Sequence, residues 1–326
     1  MIHVIEKIDI IVPIYNEAAI LEKFHQQLSE AVNALPCDAR FLYVNDGSTD
    51  GTDEALRKIA ESDGRVIVIE LSRNFGHQAA LSAGLDLANG DAVITMDGDG
   101  QHPPELIPAM LQLFSAGYDI VLTQRASAQE ISFWKRWSST GFYRLLNWIS
   151  ETKLFPGSAD FRLMSRQVVA SLRQMQEYHR LLRGMIAWMG YRTVILPYRD
   201  RARLGGKTKY SVKKMIRLAI SGVFSFSLVP LQIGIVFGLC FLIFAFLQVT
   251  YVLSFWLEGR QHMLVPGWSS LMFVVLIIGG ILMLMIGIMG MYVGYIFQEI
   301  KRRPIYLIKA IYPTFAHQDK SEGNSR

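Results

Sequence analysis

Apolar runs rich in Val, Ile and Leu alternate with longer segments of helical spacing through the first two hundred residues. Five runs have the length and β-branched content of buried strands: Ile8–Tyr15, Arg40–Asp46, Arg65–Leu71, Asp91–Asp97 and Tyr118–Arg125. Between them, Glu17–Leu35, Thr52–Ser62, His77–Ala88 and Pro104–Gly117 place apolar residues three and four apart, as amphipathic helices do. Strand and helix in repeated alternation predict an α/β fold, a mainly parallel sheet with helices on both faces. Ligands of such sheets bind beyond the carboxyl ends of the strands.

Beyond the fifth strand the pattern changes. Phe133–Ser150 reads as a helix with aromatic residues on one side and Lys135, Arg136 and Arg144 among them. Tyr210–Phe226 alternates basic and apolar positions at helical spacing, which predicts an interfacial amphipathic helix over 210–227. No charged residue and no histidine falls between Arg217 and Glu258, nor between His262 and Glu299. Each interval exceeds the roughly 20 apolar residues that cross a bilayer. Two transmembrane helices are expected, near Leu228–Leu257 and Ser270–Phe297. The expected organisation is a catalytic domain over 1–209, the interfacial helix, a two-helix hairpin over 228–298 and a basic tail over 299–326, its end from His317 onward disordered.

Charge adds an orientation to this picture. The formal net charge of +5 is compatible with nucleic acid as a partner, but the cations gather beside the apolar spans. Lys207, Lys209, Lys213, Lys214 and Arg217 precede the first, and Lys301, Arg302, Arg303 and Lys309 follow the second. The positive-inside rule then puts both termini and the catalytic domain in the cytoplasm, on a multi-pass protein of the inner (cytoplasmic) membrane with no nucleic-acid role. Glu6, Lys7 and Asp9 interrupt the first apolar stretch, so it does not read as a signal peptide. The two cysteines, Cys37 and Cys240, offer neither a disulfide framework nor a thiolate metal site.

Polar signatures follow four consecutive strands: Pro13–Glu17, Asn45–Asp50, Ser72–Gln78 and the run Asp97-Gly98-Asp99-Gly100-Gln101-His102. Asp97 and Asp99 repel each other unless a cation sits between them. An EF-hand loop counted from Asp97 needs glycine at its sixth position and glutamate at its twelfth, where His102 and Pro108 stand. A dinucleotide fingerprint needs a third glycine where the chain has Pro103, and carboxylates would repel its pyrophosphate. Mg²⁺ or Mn²⁺ held against a nucleotide diphosphate fits the oxygen donors, with Gln101 or His102 completing the shell. Helix-capping aspartates at a strand end are the plainer alternative. His77 and His102 are candidates for ligand contact.

The motifs VPIYNE, VNDGSTDGT, DGDGQHPPE, DFRLMSR and RLGGKTKYS, in that order before a membrane hairpin, resemble the family 2 glycosyltransferases of GT-A (Rossmann-like) fold. The resemblance is greater to their membrane-bound polyprenyl-phosphate sugar transferases, a group with dolichyl-phosphate mannose synthase and bacterial undecaprenyl-phosphate glucosyltransferase. It covers nearly the whole chain. It implies that Pro13, Tyr15 and Glu17 contact the nucleoside, with Asp46 reading the base and Glu17 the ribose. Asp97, Asp99 and Gln101 would hold the metal on the diphosphate, and Arg203 and Lys209 would clamp phosphate when their loop closes. Asp160 is implied as the acceptor-side catalytic carboxylate, with a salt bridge to Arg162 as the alternative. Arg125 and Arg136 are implied as lipid-phosphate ligands, against headgroup contact or a solvated helix face; a serine that follows the second arginine in the family has three candidates here, Ser138, Ser139 and Thr140.

The implied reaction is inverting transfer of a sugar, UDP-glucose being the first candidate donor, onto undecaprenyl phosphate at the cytoplasmic membrane face. Another nucleotide sugar, or a membrane-anchored sugar-nucleotide-binding protein without turnover, are the alternatives. Two spans without internal charge disfavour a flippase or channel, and the chain lacks the Q-x-x-R-W element of processive synthases. Gly290 and Gly294 suit close helix packing within the hairpin or between subunits, and a homo-tetramer is what the resemblance implies.

Overall fold

The computed structural model describes residues 5–125, 158–178, 180–199 and 267–313, together with scattered positions between 231 and 259. These fall into two compact units, an α/β unit and a second unit that contains a long apolar helix.

In the α/β unit, β1 (Lys7–Ile14), β2 (Asp38–Asn45), β3 (Val66–Leu71), β4 (Ala92–Thr95) and β5 (Ile120–Arg125) lie within or beside the five predicted runs. Helices α1 (Ala18–Asn33), α2 (Thr52–Ser62), α3 (His77–Leu87) and α4 (Ile107–Ser115) lie between them, α4 preceded by a 3-10 turn over Pro104–Leu106. β1 is buried from Ile8 to Ile14 without a break, as a strand covered on both faces must be. α1 buries Ile20, Leu21, Phe24, Leu28 and Val32, a single stripe, and leaves its charged face to solvent.

Three further strands complete an eight-stranded sheet: β6 (Ser158–Ser165), β7 (Thr193–Tyr198) and β8 (Ile308–Tyr312), with α5 (Arg166–Gln174) and α6 (Leu182–Trp188) between β6 and β7. The strand order is β7-β5-β6-β4-β1-β2-β3-β8. β1 pairs in parallel with β2 and β4, β2 with β3, and β5 with β7. β6 is antiparallel to both β4 and β5, and β8 is antiparallel to β3. The sheet is therefore mixed, with the parallel pairs in the majority. β6 enters between β4 and β5 although β5 follows β4 in sequence, and this wedge shapes the site described below.

β8 comes from the stretch expected as a basic tail. Lys309 Nζ pairs with Glu70 at 2.7 Å, the Tyr306 hydroxyl donates to Asp86 at 2.6 Å, and Arg57 lies over the Tyr312 ring. The chain that follows the apolar helix is thus fastened to the sheet and covers the β3 edge, which would otherwise present unpaired backbone groups.

In the other unit, α7 (Trp268–Ile300) has 33 residues, long and apolar enough over Ile277–Ile300 to cross a membrane. It contains the second expected span. The described positions between 231 and 257 are individually helical, but most of the first expected span lies outside the described residues. So do the predicted helix at 133–150 and the interfacial helix at 210–227. An added Cβ at Gly290 or Gly294 would meet nothing within 4 Å.

Candidate active site

The chain leaves β1 for β2 and β3 on one side and returns to β4 on the other. Such a reversal opens a crevice at the carboxyl ends of the strands. Four polar loops follow β1 to β4 there. The start of β6 reaches the same rim because that strand runs the opposite way: Arg162 pairs with Thr95, and the Thr95 hydroxyl donates to the Asp160 carbonyl at 2.6 Å. Asp160 thereby comes beside the segment that carries Asp97 and Asp99.

On the β1 to β3 side, loops hold loops. Asn16, at φ 55°, donates its N–H to Ser48 Oγ at 3.0 Å and accepts the Thr49 N–H at 2.8 Å. The Glu17 N–H donates to Thr52 Oγ1 at 3.1 Å, and the Ala18 N–H to Asp50 at 3.2 Å. Asp46, buried at the end of β2, accepts the N–H groups of Phe75 and Gly76 at 2.7 and 2.9 Å. Burial raises its pKa, and those two N–H bonds only partly offset the effect. Gly47, at φ +64°, is where the loops cross: a Cβ there would lie 2.4 Å from the Arg73 carbonyl carbon. Of the expected nucleoside contacts, Pro13 is buried in β1, Tyr15 is exposed and Glu17 is partly buried at the start of α1. This side is a preformed cradle of backbone groups.

The β4 side is built from charge. The Asp97 N–H donates to His102 Nδ1 at 3.0 Å, and the His102 ring is buried and stacked on Phe161 at 5.3 Å. Asp99 accepts the Gln101 N–H at 3.0 Å, which tightens the turn. Gly98 permits close approach to β1, because a Cβ would fall 2.3 Å from Ile14 Cδ1. His77 Nε2 stands between the two halves of the site, 3.5 Å from Asp97 Oδ1 and 3.4 Å from Asp160 Oδ2. Burial opposes a charge on His77, but the carboxylates of Asp160 and Asp97 prevail and raise its pKa.

Asp160 is heavily paired at the rim. Arg162, itself buried, contacts Oδ1, and Arg183 spans both oxygens, Nε to Oδ1 at 3.1 Å and Nη2 to Oδ2 at 2.9 Å. Burial alone would raise its pKa, yet Arg162, His77 and Arg183 together hold the carboxyl well below the ordinary range. A carboxylate so placed is a poor proton acceptor. The salt bridge to Arg162 anticipated as the plainer reading is present.

The oxygen-donor set fits a hard divalent cation that is shared with a ligand. Among the described residues no three His, Cys, Asp or Glu side chains gather into a closed metal cage. Mg²⁺ is commonly held by one or two carboxylates plus substrate phosphates, not by an all-protein cage, and Asp97 and Asp99 match that pattern. Of the phosphate-binding candidates, the Arg125 backbone ends β5, while its side chain, Arg136, Arg203 and Lys209 lie outside the described residues. Sequence reasoning missed Arg183 and the bridging place of His77. Arg183 carries no motif signal, since it reaches Asp160 only through the docking of α6.

The description "Glycosyl transferase family 2" matches residues 9–173. The chain is 37% identical over 303 residues to the uncharacterized glycosyltransferase YkcC of Bacillus subtilis, covering 93% of each chain. It is 37% identical over 306 residues to the prophage bactoprenol glucosyl transferase homolog of Escherichia coli K12, covering 94% of this chain and 99% of that one. It is 36% identical to the bactoprenol glucosyl transferase of Shigella phage SfV, covering 93% and 98%. Among solved structures, the mannosyltransferase PcManGT of Pyrobaculum calidifontis, in complex with GDP-Man and Mn²⁺, is 21% identical, with TM-score 0.48 over 67% of this chain and 63% of that one. The mixed α/β sheet is of the GT-A, Rossmann-like type. With the family match over half of the chain and relatives aligned over nearly all of it, the protein belongs to glycosyltransferase family 2.

Proposed function

We propose that this enzyme transfers a sugar from a nucleotide diphosphate to a polyprenyl phosphate, with inversion, at the cytoplasmic face of a membrane. The observation that carries the reading is the rim itself, where Asp97, two residues before Asp99, lies 3.5 Å from His77, which together with Arg162 and Arg183 surrounds Asp160. A donor diphosphate needs the first kind of surface through a cation, and a second anionic substrate needs the other. The relatives named bactoprenol glucosyl transferases align along almost their whole length, which favours undecaprenyl phosphate as acceptor and UDP-glucose as donor.

In a single displacement, an oxygen of the acceptor phosphate forms a bond to the anomeric carbon. The bond from that carbon to the donor diphosphate breaks, and its electron pair leaves with the nucleoside diphosphate. A divalent cation, Mg²⁺ or Mn²⁺, when bound by Asp97, Asp99 and Gln101, would neutralise the leaving group. The cradle of Pro13, Tyr15, Glu17 and Asp46 holds the nucleoside, and Arg203 and Lys209 close on phosphate. Arg125 and Arg136 serve the lipid phosphate. That phosphate is already anionic near neutral pH and needs no strong base, which agrees with an Asp160 held ionised by its neighbours. The apolar helix α7 anchors the enzyme, as the second limb of a hairpin whose basic flanks stay cytoplasmic. Packing through Gly290 and Gly294 into a homo-tetramer belongs to the same proposal.

Membranes containing the protein, incubated with undecaprenyl phosphate and a panel of radiolabelled nucleotide sugars, test it. UDP-glucose is expected to deliver label to the lipid phase. Nucleotide binding without transfer from any donor would replace the enzyme by the sugar-nucleotide-binding alternative.

A further inference from the structure

We propose that the amino rim of the α/β unit carries a second binding site, for an organic phosphate, in a cavity of about 460 Å³ beside α5. One stripe of α5 lines it. Arg166, Val169, Ala170 and Arg173 recur at helical spacing, so two cations roughly 10 Å apart along the axis flank an apolar step. Lys7, at the start of β1, and Asn89, before β4, line the cavity as well, and no carboxylate does.

Positive charge remains there once the structural contacts are assigned. Arg173 donates to the carbonyls of Leu85 and Ala88 and meets no carboxylate among the described residues. Those carbonyls are orphan acceptors at the end of α3, and they fix the guanidinium without neutralising it. Arg166 donates to the carbonyls of Gly90 at 3.3 Å and Asn89 at 2.7 Å, and meets one carboxylate, Asp91, at 3.1 Å. Asp91 also accepts the N–H groups of Glu6 and Lys7, each at 3.0 Å. The Lys7 ammonium has no hydrogen-bond or ion-pair partner among the described residues. Like charges around one cavity disfavour one another, and an anion bound among them removes that cost. Val93 and Val169 are buried and add an apolar wall. The volume is within the range of small-molecule sites, about 300–1,000 Å³, and exceeds the needs of a lone phosphate. A phosphate for the cations, joined to a short organic body for the apolar step, is the ligand that this lining suits.

The elements around the cavity have their other ends at the catalytic rim. α3 runs from His77 to Leu87, β4 leads from Ala92 toward Asp97, and β6 carries Asp160 near its start and ends at Ser165, next to Arg166. Along β4 the two rims are about 20 Å apart. A ligand here is therefore distinct from both substrates of the function proposed above, and the inference does not depend on that function. Two sources share its chemistry, a soluble phosphate ester and the headgroup of an anionic phospholipid.

The test uses the full-length protein with EDTA present, which removes any divalent cation from Asp97 and Asp99. Calorimetric titration with glycerol 3-phosphate reads the soluble source. Melting in phosphatidylcholine nanodiscs, with and without phosphatidylglycerol, reads the lipid source. Lys7→Gln is expected to weaken glycerol 3-phosphate binding about tenfold and to leave melting without ligand unchanged, whereas Lys7→Arg should stay within about threefold of wild type. Mass spectrometry supplies a reading that needs no variant: glycerol 3-phosphate should slow acetylation of Lys7 in wild type about threefold or more. Stabilisation by phosphatidylglycerol that Lys7→Gln abolishes, without binding of glycerol 3-phosphate, would support the site and assign it to lipid. Equal binding by wild type and Lys7→Gln, or no Lys7-dependent effect of either ligand, would overturn the inference and leave the two arginines as braces of α3 alone.

Discussion

Two aspartates at opposite ends of neighbouring strands differ in how far the chain itself satisfies them. Asp9, near the start of β1, is fully buried. It accepts two bonds from Arg40 at 2.8 Å and the N–H groups of Asn89 and Gly90 at 2.6 and 2.8 Å. Asp97, just past the end of β4, has a side chain 31% exposed, with the Nε2 atoms of His77 and His102 at 3.5 and 3.7 Å among the described residues. The chain saturates the first carboxylate with hydrogen bonds and leaves the second partly exposed, as the function proposed above requires of a metal ligand. The amino rim also holds a cavity of about 460 Å³ between Lys7, Asn89, Arg166 and Arg173. Its arginines donate to the carbonyls of Leu85, Ala88, Asn89 and Gly90, and so brace the end of α3 and its connection to β4.

The sharpest way to break this contrast is a pair of charge-neutral substitutions. Asp99→Asn at the carboxyl rim should cut transfer by roughly 10³-fold, as expected when about 4 kcal/mol of leaving-group stabilisation is lost. Its melting temperature should equal that of wild type. Asp9→Asn at the amino rim should lower stability by about 3 kcal/mol, because Arg40 and two backbone N–H groups lose a charged acceptor. Its folded fraction should turn over at the wild-type rate. Urea melts and transfer assays on both variants read the four values, and a stability loss in Asp99→Asn would erase the distinction.

Gly47→Ala sharpens the comparison inside the carboxyl rim. The positive φ and the Arg73 backbone leave no room for a methyl group, so a loss of about 2 kcal/mol is expected. The displaced loops should raise the donor KM and leave the KM for polyprenyl phosphate alone. The smallest effect returns to the amino rim. Arg65 holds the Asp63 carboxyl below its usual range, chiefly by hydrogen bonding. That contribution is complete above the unfolded carboxylate pKa of about 3.9 and is lost as pH falls through the lower folded value. Asp63→Asn should therefore blunt the loss of stability below about pH 4, by less than about 1 kcal/mol because Arg65 is 35% exposed. Thermal melts across that range check the slope.

Much of this architecture was legible in the chain. β1 to β5 and α1 to α4 could be read because a strand buried on both faces needs a continuous apolar run and a covering helix needs a stripe. The Asp97–Asp99 pair stood out for a related reason, since adjacent carboxylates at a strand end require a compensating charge. β6 escaped the same reading. Ala159, Phe161 and Leu163 face the core, but they alternate with Asp160 and Arg162, and an alternation with charges resembles a polar loop until both charges are seen buried together. β8 was hidden in a basic segment because its strand character depends on the β3 edge that it meets.

Local pattern thus determined which segments become strands and helices and which loops carry carboxylates, because periodicity and turn chemistry act over a few neighbouring residues. The tertiary structure decided that β6 runs backwards between β4 and β5, so that Asp160 arrives beside Asp97 and is met by Arg183 from α6. Side chains 23 positions apart form that bidentate pair, and 83 positions separate His77 from the carboxylate of Asp160 that it approaches. No local spacing encodes such contacts, because they form only when long-range strand pairing and helix docking bring the two segments to one rim.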